Sequence, residues 1–104
     1  SHNIFAVIDG VLVTPILTEC GVAGVLRQLV LNDLATACKR SVVERDMRFA
    51  DLASASEVFI GNSIRGFWPV RSIDGDDALS WRDFSVCKQL QSAFECRIRG
   101  LQNA

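Results

Sequence analysis

Two short stretches hold the residues best suited to grip a ligand. In Cys20-Gly21-Val22-Ala23-Gly24-Val25-Leu26-Arg27, small side chains stand where a loop gives way to an apolar, helix-periodic run. The first N–H groups of a helix have no partner inside it and lie at the positive end of its dipole. Small residues there let an anion come close, which makes a phosphate seat; ordinary loop-to-helix packing accounts for the same residues. The stretch lacks the Gly-Lys-Ser/Thr ending of a Walker loop and is not Gly-x-Gly-x-x-Gly. Gly61-Asn62-Ser63 follows directly on a strand-like apolar run. Ligands of α/β proteins sit beyond the carboxyl ends of strands. Gly admits close backbone approach, and Asn and Ser are short donors, although a plain polar turn uses the same residues.

Other reactive side chains are few. Arg27, one turn into the helix, is long enough to reach back toward the seat, and Arg65 has a planar fork suited to a carboxylate. A structural or solvated ion pair is the simpler role for either. Lys39 and Lys88 are the only lysines. A Schiff-base lysine has to be desolvated, whereas Lys39 adjoins Arg40 at a helix end and Lys88 borders a polar helix face; both read as solvated. The one histidine is His2 and there is no tyrosine, so acid–base groups are scarce and no catalytic residue is assigned. Asp74, Asp76 and Asp77 lack the spacing and distal Glu of an EF-hand and read as a solvated turn. Cys20, Cys38, Cys87 and Cys96 form no CxxC pair, which argues against a metal site. Cys38, Cys87 and Cys96 fall in apolar helical patterns as small hydrophobes, and all four read as reduced, which suits a cytoplasmic protein.

The elements that position these residues follow from local pattern. Residues 4–8 and 11–14 are strands joined by Asp9-Gly10, a hairpin turn signal, with Pro15 ending the second. From Val22, apolar residues recur at helical spacing through Ala37. Residues 42–47 read as a short strand and 49–55 as one or two helical turns. Residues 57–61 and 67–73 read as strands, Pro69 marking an edge or bulge. Phe84–Arg99 read as a final helix with Gly100 as its stop. The order β-β-α-β-α-β-β-α predicts a mixed α/β fold with at least one βαβ crossover. The 104 residues are about half apolar and argue for one domain, 1–104. The net charge of −1 gives no reason to propose nucleic acid or an anionic membrane as partner. The apolar runs are too short to span a bilayer, and no secretory signal pattern is present. The chain opens directly into Asn3-Ile4-Phe5-Ala6-Val7-Ile8, as a fragment does.

Taken together, Asn3-Ile4-Phe5, Thr14-Pro15-x-Leu17, Gly21-Val22-Ala23-Gly24-x-x-Arg27, Glu57-Val58-Phe59-Ile60-x-Asn62-Ser63 and Trp68-Pro69-Val70 resemble, in order and spacing, the C-terminal half of class IV pyridoxal-phosphate enzymes. That family includes branched-chain aminotransferases, D-amino-acid aminotransferases and aminodeoxychorismate lyases. The resemblance covers residues 3 to about 73. Gly-Val-Ala-Gly, Gly-Asn-Ser and Trp-Pro-Val lean toward the lyases; the aminotransferases tend to carry Gly-Ile-Thr at the first site and Gly-Thr-Ala or Ser-Thr-Thr at the second. The resemblance implies a mixed sheet forming part of an open pseudo-barrel flanked by helices. It implies pyridoxal 5′-phosphate as cofactor, a small-molecule substrate, and a cytoplasmic homodimer for the complete enzyme. It also implies a phosphate cup from the loops at Gly21, Val22 and Ala23 and at Asn62 and Ser63, with Arg65 near the mouth as a weaker substrate contact. The family's lysine, its ring-nitrogen glutamate and its N-terminal domain lie upstream of the Asn-x-Phe strand. The expectation is therefore half of a cofactor site, inactive alone. The rival readings are a fragment of a branched-chain or D-amino-acid aminotransferase and a stand-alone phosphate-binding module.

Overall fold

The computed structural model describes residues 3–16, 25–73 and 76–102. Strands β1 (Asn3–Ile8) and β2 (Val11–Pro15) form the expected hairpin. Its turn residues Asp9 and Gly10 have φ of 52° and 78°, the left-handed pair that lets a two-residue turn follow the strand twist. The buried Thr14 hydroxyl donates to the Ile4 carbonyl across the hairpin at 2.9 Å.

A helical crossover then returns the chain beside β2. Helix α1 (Val25–Leu29) runs through a π-helical turn, Val30–Leu34, into the short helix α2 (Ala35–Ala37). Strand β3 (Val42–Arg45) pairs parallel with β2, which completes the βαβ unit. The π turn is marked by the Ala35 N–H donating to Val30 O, five residues back. That widened turn rotates the next residues relative to an ideal helix. Val30, Leu34 and Ala35 are buried, while Ala37, expected on the apolar stripe, is exposed.

Strand β4 (Glu57–Asn62) adds antiparallel to β1, with Phe5 opposite Phe59, and β5 (Gly66–Pro69) adds to β4. The sheet order is β3-β2-β1-β4-β5. Pro69 thus sits on the outer strand β5, as its missing donor requires. The expected strand 67–73 is divided. After β5 the Val70 N–H still donates to Val58 O at 2.8 Å, but β6 (Ser72–Ile73) leaves to pair with β7 (Asp76–Ser80) in a separate two-stranded sheet. Asp76 and Asp77 therefore begin a strand, not a solvated turn, because a bulged ladder overrides their local turn preference. Asp74 lies outside the described residues.

Both faces of the sheet are covered, so β1 is apolar from Ile4 to Ile8 instead of alternating. Phe5 and Val7 face α3 (Ser85–Gln102) and the crossover helix. Ala6, Ile8, Val13 and Val58 face Leu52 of the 3-10 turn Phe49–Ser54, Leu79 and Trp81. Phe5 and Phe59 stack at 5.4 Å; Phe67 meets both edge-on at 5.9 and 6.0 Å, and Phe94 meets Phe67 at 6.1 Å. Helix α3 runs on through Gly100 to Gln102, so that glycine is not the stop. A Cβ there would meet nothing, and helical hydrogen bonding continues past it.

Candidate functional site

The loop after β4 is built by its own asparagine. Asn62 Oδ1 accepts the N–H groups of Ile64 at 3.0 Å and Arg65 at 2.8 Å, an Asx-type turn that fixes the backbone locally. Ser63, Ile64 and Arg65 are exposed on this turn, Ile64 at 88%. Gly66 ends it with φ of +83°. A Cβ on Gly66 would collide with Gln91 Oε1 and fall 2.8 Å from Phe94 Cδ2, so the turn lies directly on α3. The Phe67 N–H donates to Gln91 Oε1 at 2.7 Å, and Gln91 Nε2 donates to Glu95 Oε1 at 3.0 Å. Between the turn and α3 lies a groove of about 410 Å³ lined by Ser63, Arg65, Gln91, Glu95 and Arg99 among others. The turn itself contains no carboxylate. Ser63 and Arg65 on the turn face Arg99 on α3, a donor set that fits a phosphate, although the Glu95 carboxylate lines the same groove.

Gly21, Val22 and Ala23 lie outside the described residues, so the structure brings Asn62, Ser63 and Arg65 together without the first loop. Arg27 takes the simpler of its two readings, a structural ion pair. It is buried at 2% exposure, and its Nη2 donates to the Pro15 carbonyl at 3.0 Å and Glu44 Oε2 at 2.5 Å. Its guanidinium joins the end of β2 to β3 instead of reaching back toward a ligand. The carbonyl of a strand end and a nearby carboxylate outcompete an anion in solution because they are already in place. Lys39 and Lys88 are exposed, so neither is desolvated for Schiff-base chemistry.

Glu57 and Gln91 escaped the sequence reading. Glu57 is 1% exposed and caps α3: Oε2 accepts the Val86 N–H at 2.8 Å and Oε1 accepts the Cys87 N–H at 3.1 Å. A carboxylate is favourable there because those amides are otherwise orphans at the positive end of the helix. Asp83 accepts the Ser85 N–H at 3.0 Å and its hydroxyl at 2.8 Å, and these bonds hold the Asp83 carboxyl below its ordinary range. Burial, with the nearby Glu57 charge adding to it, pushes the Cys87 thiol up to about 12. Cys38 is half-buried and also raised, by burial working against the attraction of Arg40. Cys38, Cys87 and Cys96 are free thiols, but Cys96 is exposed and does not pack as a hydrophobe. Cys20 lies outside the described residues. The only signal for Glu57 was one acidic residue opening an apolar run; Gln91 gave none.

A model of the amino-transferase class IV family matches residues 1–73. The chain belongs to that family. It is 36% identical over 93 residues to the branched-chain-amino-acid aminotransferase of Escherichia coli K12, an alignment spanning 89% of this class IV chain and 30% of that enzyme. It is 40% identical over 75 residues to the aminodeoxychorismate lyase of Vibrio harveyi, covering 72% of this chain and 27% of the lyase. The solved 4-amino-4-deoxychorismate lyase of Pseudomonas aeruginosa superposes with a TM-score of 0.81 at 39% identity, over 91% of this chain and 34% of that one. The class IV chain thus spans about a third of the proteins it matches. Pyridoxal phosphate is the cofactor expected of the family; a Brucella abortus aminotransferase of the same fold was solved with it bound, at 23% identity and a TM-score of 0.79, over 91% of this chain and 32% of that one. Among the described residues no helix is long and apolar enough to cross a membrane.

Proposed function

We propose that the chain is the C-terminal part, residues 1–104 as one domain, of a pyridoxal-phosphate-dependent lyase. The whole enzyme converts 4-amino-4-deoxychorismate to 4-aminobenzoate and pyruvate, a step toward folate. The observation that carries this reading is the Gly61-Asn62-Ser63 turn, held by Asn62 at the carboxyl end of β4 with Ser63 exposed. Its sequence is the lyase-like form of that loop, and the likeness to the Pseudomonas enzyme supports the same choice.

Within this reading Ser63, with the amides of Val22 and Ala23, holds the cofactor's phosphate, and the Asn62 turn sets the backbone that presents it. Gly21 belongs to the same proposed cup. Arg65, exposed beside the groove, attracts the substrate's carboxylates toward the site. When bound, the cofactor supplies an electron sink for proton loss and elimination at the substrate. This chain contributes binding and orientation only. Lys39 and Lys88 are both solvated, so the 104 residues alone turn over nothing. The complete enzyme is a cytoplasmic homodimer acting on a small molecule.

The 36% identity to the Escherichia coli protein over most of the chain favours a second reading, part of a branched-chain aminotransferase. Assay of the full-length protein that contains these residues separates the two. Pyruvate released from aminodeoxychorismate, without a keto-acid acceptor, is the expected result. Amino transfer to a branched keto acid with no pyruvate released refutes the lyase reading.

A further inference from the structure

We propose that Gln91 is a positioning residue for the Asn62–Gly66 turn, and through it for the phosphate contact of Ser63; this second half rests on the function proposed above. The turn is exposed at its tip and has to keep one shape to present a backbone N–H and a hydroxyl to an anion. Its start is fixed by Asn62, whose Oδ1 holds the Ile64 and Arg65 amides. Its end is fixed from another element. Phe67 opens the outward side of β5, the last strand of the five-stranded sheet, and its N–H donates to Gln91 Oε1 at 2.7 Å. Gly66 carries no Cβ and has φ of +83°, which lets the backbone settle against the Gln91 amide and the Phe94 ring. Gln91 is itself oriented, because its Nε2 donates to Glu95 one helical turn on. That bond assigns Oε1 to the Phe67 amide and leaves no reason for the side-chain amide to flip.

The chain of contacts reaches further back. Helix α3 is held in register by Glu57, which opens β4 and caps the Val86 and Cys87 amides. The strand that leads into the turn therefore also sets the height of the helix that closes it. Gln91 stands one turn along α3 from that cap and transmits its position to β5. A glutamine is suited to this task because it accepts from the strand and donates to the helix in one planar group.

Amide hydrogen exchange on the 104-residue chain tests Gln91 directly. In the unmodified chain the Phe67 amide is protected. In Gln91→Met, which keeps the volume and removes the acceptor, Phe67 exchanges about ten-fold faster or more, since a buried N–H is left without a partner. The Ile64 and Arg65 amides lose protection with it, while Val7 and Leu12 in the sheet centre do not change. In Gln91→Glu, which keeps an acceptor oxygen but replaces the donor to Glu95 with a like charge, Phe67 protection returns in part. A merely structural role would loosen the sheet centre together with the turn and would not be rescued by the acceptor. Rapid exchange of Phe67 in the unmodified chain overturns the proposal, even if Gln91→Met fails to fold. So does a Gln91→Met chain in which Phe67, Ile64 and Arg65 stay protected. Titration with inorganic phosphate, read at the Ser63 amide, then separates the two proposals. A response in the unmodified chain that weakens several-fold in Gln91→Met is expected. No response in either chain defeats the phosphate reading of Ser63 while the exchange pattern still decides Gln91. An equal response in both overturns the link from Gln91 to the ligand.

Discussion

Glu57, the first residue of β4, holds the Val86 amide at the start of α3 only 2.8 Å from its Oε2. A strand and a helix distant in sequence are thereby locked at one end by a buried carboxylate.

Removing that carboxylate has a defined cost. Glu57→Ala leaves the Val86 and Cys87 amides buried without an acceptor, and a destabilisation of about 2–4 kcal/mol is expected. Glu57→Gln keeps one acceptor oxygen but loses the charge at the helix terminus, for about 1 kcal/mol. Urea midpoints of the two variants check the order. Equal midpoints for Glu57→Ala and the unmodified chain would remove the cap from the account.

Arg27 and Glu44 make an asymmetric pair: the guanidinium is buried, whereas the carboxylate side chain is 46% exposed. Glu44→Ala strands a buried cation with only the Pro15 carbonyl beside it. Arg27→Met removes the cation and leaves a carboxylate that water can reach. Glu44→Ala is therefore expected to cost more than Arg27→Met, by about 1 kcal/mol after allowing for the exposure of Glu44. Thermal or urea unfolding of both variants tests the order, and the reverse order refutes the reading of Arg27 as a strand-end tie.

The thiols should react in the order of their exposure. Alkylation of the folded chain near pH 8, followed by peptide mapping, is expected to label Cys96 first, Cys38 slowly and Cys87 last. Cys87 also has a pH consequence. Its folded pKa is raised from an ordinary value of 9.0 to about 12, so above 9 the unfolded chain loses this proton and the folded chain keeps it. Its contribution to stability is constant below pH 9 and falls as pH rises from 9 to 12. Cys87→Ser or Cys87→Ala should flatten that alkaline decline. Labelling of Cys87 as fast as Cys96 in the folded state would contradict the packing.

Gly10 and Gly66 share a positive φ but differ in surroundings. A Cβ at Gly10 meets nothing within 4 Å, so Gly10→Ala carries only the left-handed backbone strain of about 1 kcal/mol. At Gly66 the same strain adds to a collision with Gln91 and Phe94. Gly66→Ala is expected to be the more damaging by at least about 1 kcal/mol. Comparable unfolding midpoints for the two variants would show that α3 does not bear on the turn.

Local chemistry made the sheet legible in the sequence. Asp9-Gly10 between apolar runs announced the hairpin, and the change to helical spacing after Val22 announced the crossover that sets β3 parallel to β2. Asn62 and Ser63 stood out because they close an apolar strand. What stayed hidden depends on partners far along the chain. Asp76 and Asp77 carry turn chemistry yet enter β7, since β6 supplies a ladder. Glu57 looks like a strand's polar edge until α3 arrives above it. Gln91 is one polar residue among several on its helix, and only the bend at Gly66 gives it work. Arg27 carried the right charge for a ligand, but β3 brought Glu44 to it first. The π turn at Val30–Leu34 has no local signature in its side chains, and it displaced Ala37 from the buried face.

The four rings of Phe5, Phe59, Phe67 and Phe94 bear on the order in which the molecule can assemble during synthesis. Phe5 is made before its ring partner Phe59, which follows only after the whole crossover has been translated. Phe94 closes the set from the last helix. Until α3 clears the ribosome, the β1–β2 hairpin, β4 and β5 hold an aromatic face that lacks Phe94, Leu90 and Val86. A nascent chain of this kind folds late and through contacts of long sequence separation, which is slow and leaves sticky surface open meanwhile.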